Sequence, residues 1–334
     1  MSKPGGTAAR IILTNFEVPE DYKVRLEDPR WNHQVVSVKG VGPKNVDFGR
    51  VDVIVMGGDS ATYELLGFSP ADAKNLRLFQ TVSAGVNQFD LSAVPRGTVI
   101  CSNVGAFAEP MAESVFAFVL SFAKNLPSLQ EDLKRGDFPR WKKPGMFLKG
   151  KTMGVIGAGG IGIATARLAR AFGMRVLGIV SKARAIENFD FVGTLKDLDY
   201  LLRESDVVVI SIPLKVSTRG LIDREKLNEM KRNAILVNVA RGPIIVEKDL
   251  YEHLRENPEF SAGIDVWWKY PKKGEKFQPD YPFMSLNNVL VMPHVSAHVP
   301  ETSLVAIGSA LENVLRFLAG DELRGVVDRS DYGY

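Results

Sequence analysis

The sequence predicts an α/β chain made of two doubly wound parallel-sheet domains, and three observations lead there. The chain has 334 residues, about twice the ~150 residues of a typical domain. Short β-branched runs alternate with polar helical stretches in the first hundred residues, and the alternation starts again near residue 152. One run of the second series passes directly into a glycine-rich turn followed by a helical pattern.

In the first series, strands are expected at 10–13, 35–38, 52–56, 78–82 and 99–101, with helices at 20–27 and 70–74. A long helix follows at 109–124. Its middle, 115–122, is apolar nearly all round, so it needs cover on more than one side, either from a core or from a second subunit. A polar, proline-containing segment occupies 127–150. The second series has strands at 152–156, 175–179, 207–211, 234–238, 263–266 and 289–292. Helices are expected at 161–172, 195–204, 224–230 and 248–256, and a last helix at 300–318 ends at Gly320. The first eight residues and the tail from Arg329 read as disordered.

Composition narrows the function classes. Apolar residues make up 45% and charged residues 24%, as in ordinary soluble domains. The 42 basic and 39 acidic side chains leave +3, which argues against a nucleic-acid surface. Cys101 is the sole cysteine, so an internal disulfide and a cysteine-based metal cluster are excluded, and a reducing cytoplasm fits. The start has no apolar core of a secretory signal. The stretch 111–123 carries Glu113 and falls short of the about 20 residues that cross a bilayer, so no membrane association is expected.

The sharpest motif is Gly157-Ala158-Gly159-Gly160-Ile161-Gly162, a G-x-G-x-x-G between a strand and a helix. Gly157 allows the tight turn, Gly159 lets a pyrophosphate approach the backbone, and Gly162 lets the helix pack close to the strand. The free N–H groups of the helix start then face the phosphates. This predicts dinucleotide binding. The strand at 175–179 should next present an acid to the ribose 2′-hydroxyl of NAD, but Ser181, Lys182 and Arg184 follow instead. Two cations and a hydroxyl suit a 2′-phosphate, so NADP is favoured over NAD.

Three later segments each put a polar residue at or just beyond the end of an expected strand: Arg241 after 234–238, Asp265 near the end of 263–266, and His294 after 289–292. In open parallel sheets ligands gather beyond the carboxyl ends of the strands, so these three can converge. His298, four residues past His294, lacks an evident third metal ligand and reads as structural; no metal is expected. Trp267 and Trp268 read as packing.

With these segments in order, after Ser83-Ala84-Gly85 with Asp90 and Ala112-Glu113, and with Ile212-Pro213-Leu214 and Thr218-Arg219-Gly220 between, the chain resembles the D-isomer-specific 2-hydroxyacid dehydrogenases from about residue 78 to 318. The resemblance implies two Rossmann-like lobes with an active-site cleft between them. Residues 1–102 plus 295–334 would form a flavodoxin-like substrate domain, and 103–294 the NAD(P) domain. It implies that Arg241 clamps the carboxylate of a 2-oxo acid and polarises its keto oxygen, and that His294 is the acid/base. It implies further that Asp265 lies near the nicotinamide carboxamide, that Ser83, Ala84 and Gly85 hold the substrate carboxylate, and that Pro213, Thr218, Val239 and Ala240 line the coenzyme. The expected reaction is reduction of a small 2-oxo acid, with glyoxylate or hydroxypyruvate as first choice, to the D-2-hydroxy acid, by a homodimer. Its alternatives are a short phosphoglycerate dehydrogenase or a non-catalytic, dinucleotide-sensing regulator of corepressor type.

One position departs from the pattern. The family's usual glutamate, paired with the histidine, is Tyr270 here, followed by Pro271. A tyrosine can hydrogen-bond to His294 but cannot neutralise it. A working variant with a differently tuned histidine is preferred to a chain without activity, because Arg241, His294 and the glycine motif are all present. Glu275 or Asp280 could stand in for the missing acid. The formate dehydrogenases of this fold have glutamine at that position and asparagine where Phe107 aligns, so formate is not the expected substrate.

Overall fold

The computed structural model describes residues 8–40, 42–58, 67–140, 144–272 and 274–334. Its backbone divides into two compact units, Met1–Ala106 with Pro300–Tyr334, and Phe107–Val299.

Unit 1 holds a five-stranded parallel sheet of β1 (Arg10–Thr14), β2 (His33–Ser37), β3 (Val51–Met56), β4 (Leu78–Thr81) and β5 (Val99–Cys101), ordered β2-β1-β3-β4-β5. α1 (Glu20–Leu26) links the first two strands. All six residues of β3 are buried, as expected of a central strand covered on both faces. The period of two sorts its side chains. Val53 and Val55 pack with Ile12, Leu78, Ala310, Leu311 and Val314. Ile54 and Met56 pack with Leu13, Phe79 and Ile100 on the other face. The first of these faces is thus closed by α8 (Pro300–Ala319). That helix is apolar and long enough by composition to cross a bilayer, but its apolar stripe packs on the sheet.

Unit 2 holds seven parallel strands: β6 (Thr152–Ile156), β7 (Arg175–Ile179), β8 (Phe191–Gly193), β9 (Val207–Ile210), β10 (Ile235–Asn238), β11 (Ser261–Ile264) and β12 (Val289–Val291). Their order is β12-β11-β10-β9-β6-β7-β8, so the winding reverses between β6 and β9. α2 (Ala108–Ala123) and α4 (Gly160–Ala171) cover one face, where Val115, Val119, Ala166, Val155, Val209 and Val237 share a core. α5 (Leu198–Glu204), α6 (Arg224–Asn228) and α7 (Glu247–Glu256) cover the other, around Ile156, Leu201, Val208, Leu227, Leu236 and Leu250. The apolar circumference of α2 is therefore used largely inside its own unit, with Phe118 seated directly against Gly263.

Four sequence expectations change. The helix expected at 70–74 is a single 3-10 turn, Pro70–Asp72, closed by reciprocal bonds between Ser69 and Asp72. The polar segment at 127–150 contains α3 (Leu126–Lys134), whose proline sits in the first turn, where its missing N–H has no helical partner to lose. β8 is an unexpected edge strand of three residues. The tail from Arg329 is ordered, because the Arg329 guanidinium donates to the carbonyls of Leu91, Val94 and Pro95 at 3.1, 2.8 and 2.8 Å. The first eight residues, Ala8 apart, lie outside the described residues.

Candidate active site

The glycine motif occupies the point where the winding of the unit 2 sheet reverses. Gly157 directly follows β6 with φ at +107°, and a side chain there would run into Ser211 and Ile212 beyond β9 within 3 Å. The Ser211 hydroxyl donates to the Gly157 carbonyl at 2.8 Å and ties the two strand ends together. Gly162 has no room either, since a Cβ would stand 2.2 Å from the Gly157 carbonyl oxygen. At Gly159, by contrast, a Cβ would meet nothing within 4 Å. Gly157 and Gly162 thus serve the protein's own packing, while Gly159 leaves open space before the start of α4. An open approach to the free N–H groups of a twelve-residue helix, led by Gly160 and Ile161, fits a dinucleotide pyrophosphate.

Ser181, Lys182 and Arg184 are exposed in the loop after β7. Among the described residues neither Lys182 nor Arg184 has an ion-pair partner, in contrast to Arg170 and Arg175 nearby, which pair with Asp190 and Glu204. Asp190 also accepts the Val176 N–H at 2.8 Å.

Thr218 plays a local role. Its hydroxyl donates to the Pro213 carbonyl and accepts the Lys215 N–H, each at 2.8 Å, so it shapes the 213–218 loop beyond β9. Val239 and Ala240 are buried in the turn after β10, which the Asn238 side chain holds by accepting the Ala240 N–H and donating to the Arg241 carbonyl, each at 3.0 Å.

Arg241, Asp265 and His294 follow three adjacent strands. The register pairs Asn238 with Ile264 and Ile264 with Val291, so all three residues leave the same carboxyl edge. Gly242 permits a close approach: a Cβ there would lie 2.4 Å from the Trp267 backbone. The Arg241 turn therefore lies against the 265–268 segment, and Trp268 locks it by donating its indole N–H to the Ile245 carbonyl at 2.7 Å. The indole of Trp267 donates to the Met292 carbonyl at 3.0 Å, which joins that segment to the histidine loop.

His294 adopts φ of +62°, the left-handed region where non-glycine residues are uncommon. That conformation costs about 1–3 kcal/mol unless its surroundings impose it. Asp265 imposes it. Its fully buried carboxylate accepts the N–H groups of the next two residues, Val295 at 2.8 Å and Ser296 at 3.2 Å. Ser296 is held again from α2, where the Ser114 hydroxyl donates to its carbonyl at 2.8 Å. The sequence did not disclose this clamp. Its one signal was an aspartate immediately after an apolar strand.

Tyr270 lies against the histidine, with ring centroids 5.5 Å apart and planes inclined by 39°. Its hydroxyl accepts the Trp267 N–H at 3.2 Å and is turned to its own loop, so the hydrogen bond to His294 that a tyrosine could make there is not among its contacts. Burial raises the Tyr270 pKa, so the ring is neutral. Burial and the Arg241 cation lower the His294 pKa, and Asp265 opposes them. Asp265, rather than Glu275 or Asp280, is thus the carboxylate that acts on His294. Asp280 pairs with Lys269 at 2.6 Å, and Glu275 accepts the Lys272 N–H at 2.9 Å. His298 is exposed, and no group of three metal-ligating side chains exists among the described residues.

In unit 1, Ser83, Ala84 and Gly85 follow the carboxyl end of β4 and are half-buried. The Ser83 carbonyl accepts from Asn103 N–H at 3.0 Å and from the Thr81 hydroxyl at 2.8 Å, and the Ser83 hydroxyl donates to the Gly85 carbonyl at 2.8 Å. Among the described residues, no acceptor takes the N–H of Ser83, Ala84 or Gly85. Three fixed amides without acceptors suit a carboxylate.

Residues 116–296 match the family described as D-isomer specific 2-hydroxyacid dehydrogenase, NAD binding domain. Glyoxylate/hydroxypyruvate reductase B of Enterobacter agglomerans is 33% identical over 322 residues, 92% of this chain and 95% of that protein. D-3-phosphoglycerate dehydrogenase of Methanocaldococcus jannaschii is 32% identical over 284 residues, 83% of this chain, and the match spans only 51% of that longer protein. Among solved structures, a D-isomer specific 2-hydroxyacid dehydrogenase of Xanthobacter autotrophicus Py2 in complex with NADPH and MES superposes with a TM-score of 0.77 at 25% identity, covering 98% of this chain and 100% of that one. A family protein of Aeromonas salmonicida gives 0.74 at 28% identity, with coverage of 96% and 99%. The chain is thus an oxidoreductase that works with a nicotinamide dinucleotide, and it belongs to the D-isomer specific 2-hydroxyacid dehydrogenase family.

Proposed function

We propose that the protein reduces a small 2-oxo acid, glyoxylate or hydroxypyruvate, to the D-2-hydroxy acid, with Arg241 binding the carboxylate and His294 supplying the proton. One observation carries the reading: Arg241 and His294 leave the same sheet edge, and the strained backbone at His294 is held by the buried Asp265. The full-length similarity to glyoxylate/hydroxypyruvate reductase B supports the substrate choice. The two unpaired cations after β7 support NADP over NAD, with Lys182 and Arg184 at the 2′-phosphate and Ser181 beside them. The Gly157–Gly162 turn would hold the pyrophosphate, and Pro213, Thr218, Val239, Ala240 and Asp265 would border the rest.

The bound dinucleotide supplies the hydride for the carbonyl carbon. Arg241 presents a planar fork of donors, which suits a carboxylate with an adjacent keto oxygen and stabilises the charge growing on that oxygen. His294 in its imidazolium form gives the oxygen its proton, and in the reverse direction the neutral imidazole takes it back. Its lowered pKa makes the imidazolium scarcer as pH rises, so reduction declines toward alkaline pH and oxidation gains. Tyr270 adds a neutral wall where a carboxylate would raise that pKa. In unit 1 the amides of Ser83, Ala84 and Gly85 are donors for a carboxylate.

The same reading takes residues 1–102 with 295–334 as the substrate domain and 103–294 as the coenzyme domain, in a cytoplasmic homodimer. Exposed Leu126, Leu133, Phe138 and Phe147 around α3 support a subunit contact there. The test is a panel of 2-oxo acids assayed with NADH and NADPH in parallel, with chiral analysis of the product. D-product from glyoxylate-like acids, lost in Arg241→Gln and His294→Gln, is expected. No turnover across the panel by a folded, coenzyme-binding protein overturns the assignment in favour of a dinucleotide sensor.

A further inference from the structure

The amino edge of the unit 1 sheet, opposite the Ser83–Gly85 loop, carries a cationic cavity of about 310 Å³. Arg10 opens β1, His33 opens β2, Asp52 is the second residue of β3, and Arg77 precedes β4. Arg10, Arg30, Trp31, His33, Arg77 and Phe317 line the cavity. Nothing in the reduction described above uses these residues.

Asp52 is the centre of the cluster, with 4% of its side chain exposed. Arg77 donates to it from Nε at 2.5 Å and Nη2 at 2.6 Å, and Arg10 pairs with it at 3.5 Å. The His33 ring lies between two acceptors, the Asp52 carboxylate 2.7 Å from Nε2 and the Trp31 carbonyl 2.7 Å from Nδ1. Although burial alone would raise it, the bonds from Arg77 and His33 and the charges of Arg77 and Arg10 hold the Asp52 carboxyl well below the usual carboxylate range. Arg30 is paired with Asp28 through Nε and Nη2 at 2.9 and 3.0 Å.

The cations are not used up by these pairs. Three guanidinium groups, those of Arg10, Arg30 and Arg77, stand against the carboxylates of Asp52 and Asp28, an excess of one positive charge. The side chains of Arg10 and Arg77 are 54% and 52% exposed. Among the described residues, Nη2 of Arg10, Nη1 of Arg30 and Nη1 of Arg77 make no hydrogen bond. The nearby acids Glu312 and Asp321 line an adjoining cavity that shares Arg30 and Trp31 with this one, and Glu312 is taken by Arg25. The forks are also pre-set, since Arg30 lies over the Trp31 ring at 5.2 Å and Arg77 over Phe317 at 5.0 Å. Three guanidinium groups from separate chain segments, with one uncompensated charge and an N–H-bearing nitrogen left over on each, match the several acceptor oxygens of a tetrahedral phosphate better than a planar carboxylate.

We propose that this cavity binds a phosphate group, carried either by free phosphate or by a small phosphate monoester. The test is calorimetric titration of the NADPH-saturated full chain with inorganic phosphate and, separately, with glycerol 3-phosphate. Saturable binding of at least one of them at millimolar concentration or below is expected; the tighter of the two identifies the source. The double variant Arg10→Gln with Arg30→Gln should weaken that binding at least tenfold. It leaves Asp52 with Arg77 and His33, so folding and turnover of the 2-oxo acid should be unchanged without added phosphate. Arg30→Glu alone should weaken binding in the same direction and covers the case in which the double variant does not fold. Absence of saturable heat with either compound up to about 10 mM, which corresponds to about −3 kcal/mol, overturns the proposal. So does binding of undiminished affinity in the folded variants.

Discussion

Tyr270→Glu tests how the acid/base residue is tuned. The Tyr270 and His294 ring centroids are 5.5 Å apart. A glutamate side chain extends about as far from its Cβ as the middle of a tyrosine ring, so its carboxylate would stand at about that distance from the imidazole. Two unit charges there attract by about 3 kcal/mol at an effective dielectric of about 20, and by under about 1 kcal/mol in water. The imidazole keeps one exposed side, so an intermediate value applies. At about 1.4 kcal/mol per pKa unit, His294 should rise by about one to two units. The unmodified protein starts low, because burial and Arg241 depress the histidine and Asp265 only partly offsets them. Its kcat/KM for reduction should therefore fall with pH from below about 6.5, the unperturbed histidine value. In the variant the fall should move up by those one to two units, and the oxidative limb should move with it. The assay is initial rate against pH in both directions at saturating coenzyme, with a thermal midpoint to verify folding. A folded variant whose limbs stay in place would show that the carboxylate position does not control His294.

Three further outcomes follow from the geometry. Gly159→Ala should keep the thermal midpoint within about 1 °C yet weaken dinucleotide binding tenfold or more, whereas Gly162→Ala should lose the fold itself, because only the second Cβ collides with the protein; undiminished binding in the first would remove the cradle. Lys182→Ala with Arg184→Ala should raise the NADPH Kd about ten- to a hundredfold, at about 1.5–3 kcal/mol for charged hydrogen bonds, and leave NADH within about threefold; equal NADH and NADPH affinities in the unmodified chain refute the assignment. Asp265→Asn should place an amide donor against the N–H of Val295 or Ser296, free the backbone at His294 and cost about 1–3 kcal/mol of stability. It should lower kcat far more than it raises KM, and an unchanged kcat would show that the clamp does not position the histidine.

Much of this molecule could be read in one dimension, and the parts that could not share a cause. The glycines of the 157–162 motif answer to local sterics, so their spacing alone disclosed a strand, a turn and a helix. Arg241 and His294 stand just past β-branched runs, a pattern that marks a sheet edge without any knowledge of partners. The Asp265 clamp depends on the register between β11 and β12, which pairs Ile264 with Val291 and so sets the carboxylate against residues thirty positions away. No local pattern encodes that pairing. The Tyr270 hydroxyl, turned to the Trp267 N–H, was likewise decided by a tight turn and not by residue type. β8 and α3 were missed because an edge strand of three residues and a helix opening on proline carry too few periodic positions to stand out from a loop.

The route of the chain through its two units has a consequence for biosynthesis. The strands of unit 1 leave the ribosome first, but the helix that covers Ile12, Val53, Val55 and Leu78 begins only at Pro300. Between them come the roughly 190 residues of unit 2, or about 10 to 40 s of translation at 5 to 20 residues per second. Throughout that interval an apolar sheet face waits for its lid, while unit 2 already has every strand and helix of its own core. The usual order, in which the amino-terminal domain matures first, is reversed, and the nascent chain is most prone to aggregate just before its last helix emerges. Slowed translation late in the message, or a truncation ahead of Pro300, should therefore direct the product to chaperones and inclusion bodies even though the dinucleotide-binding unit is complete.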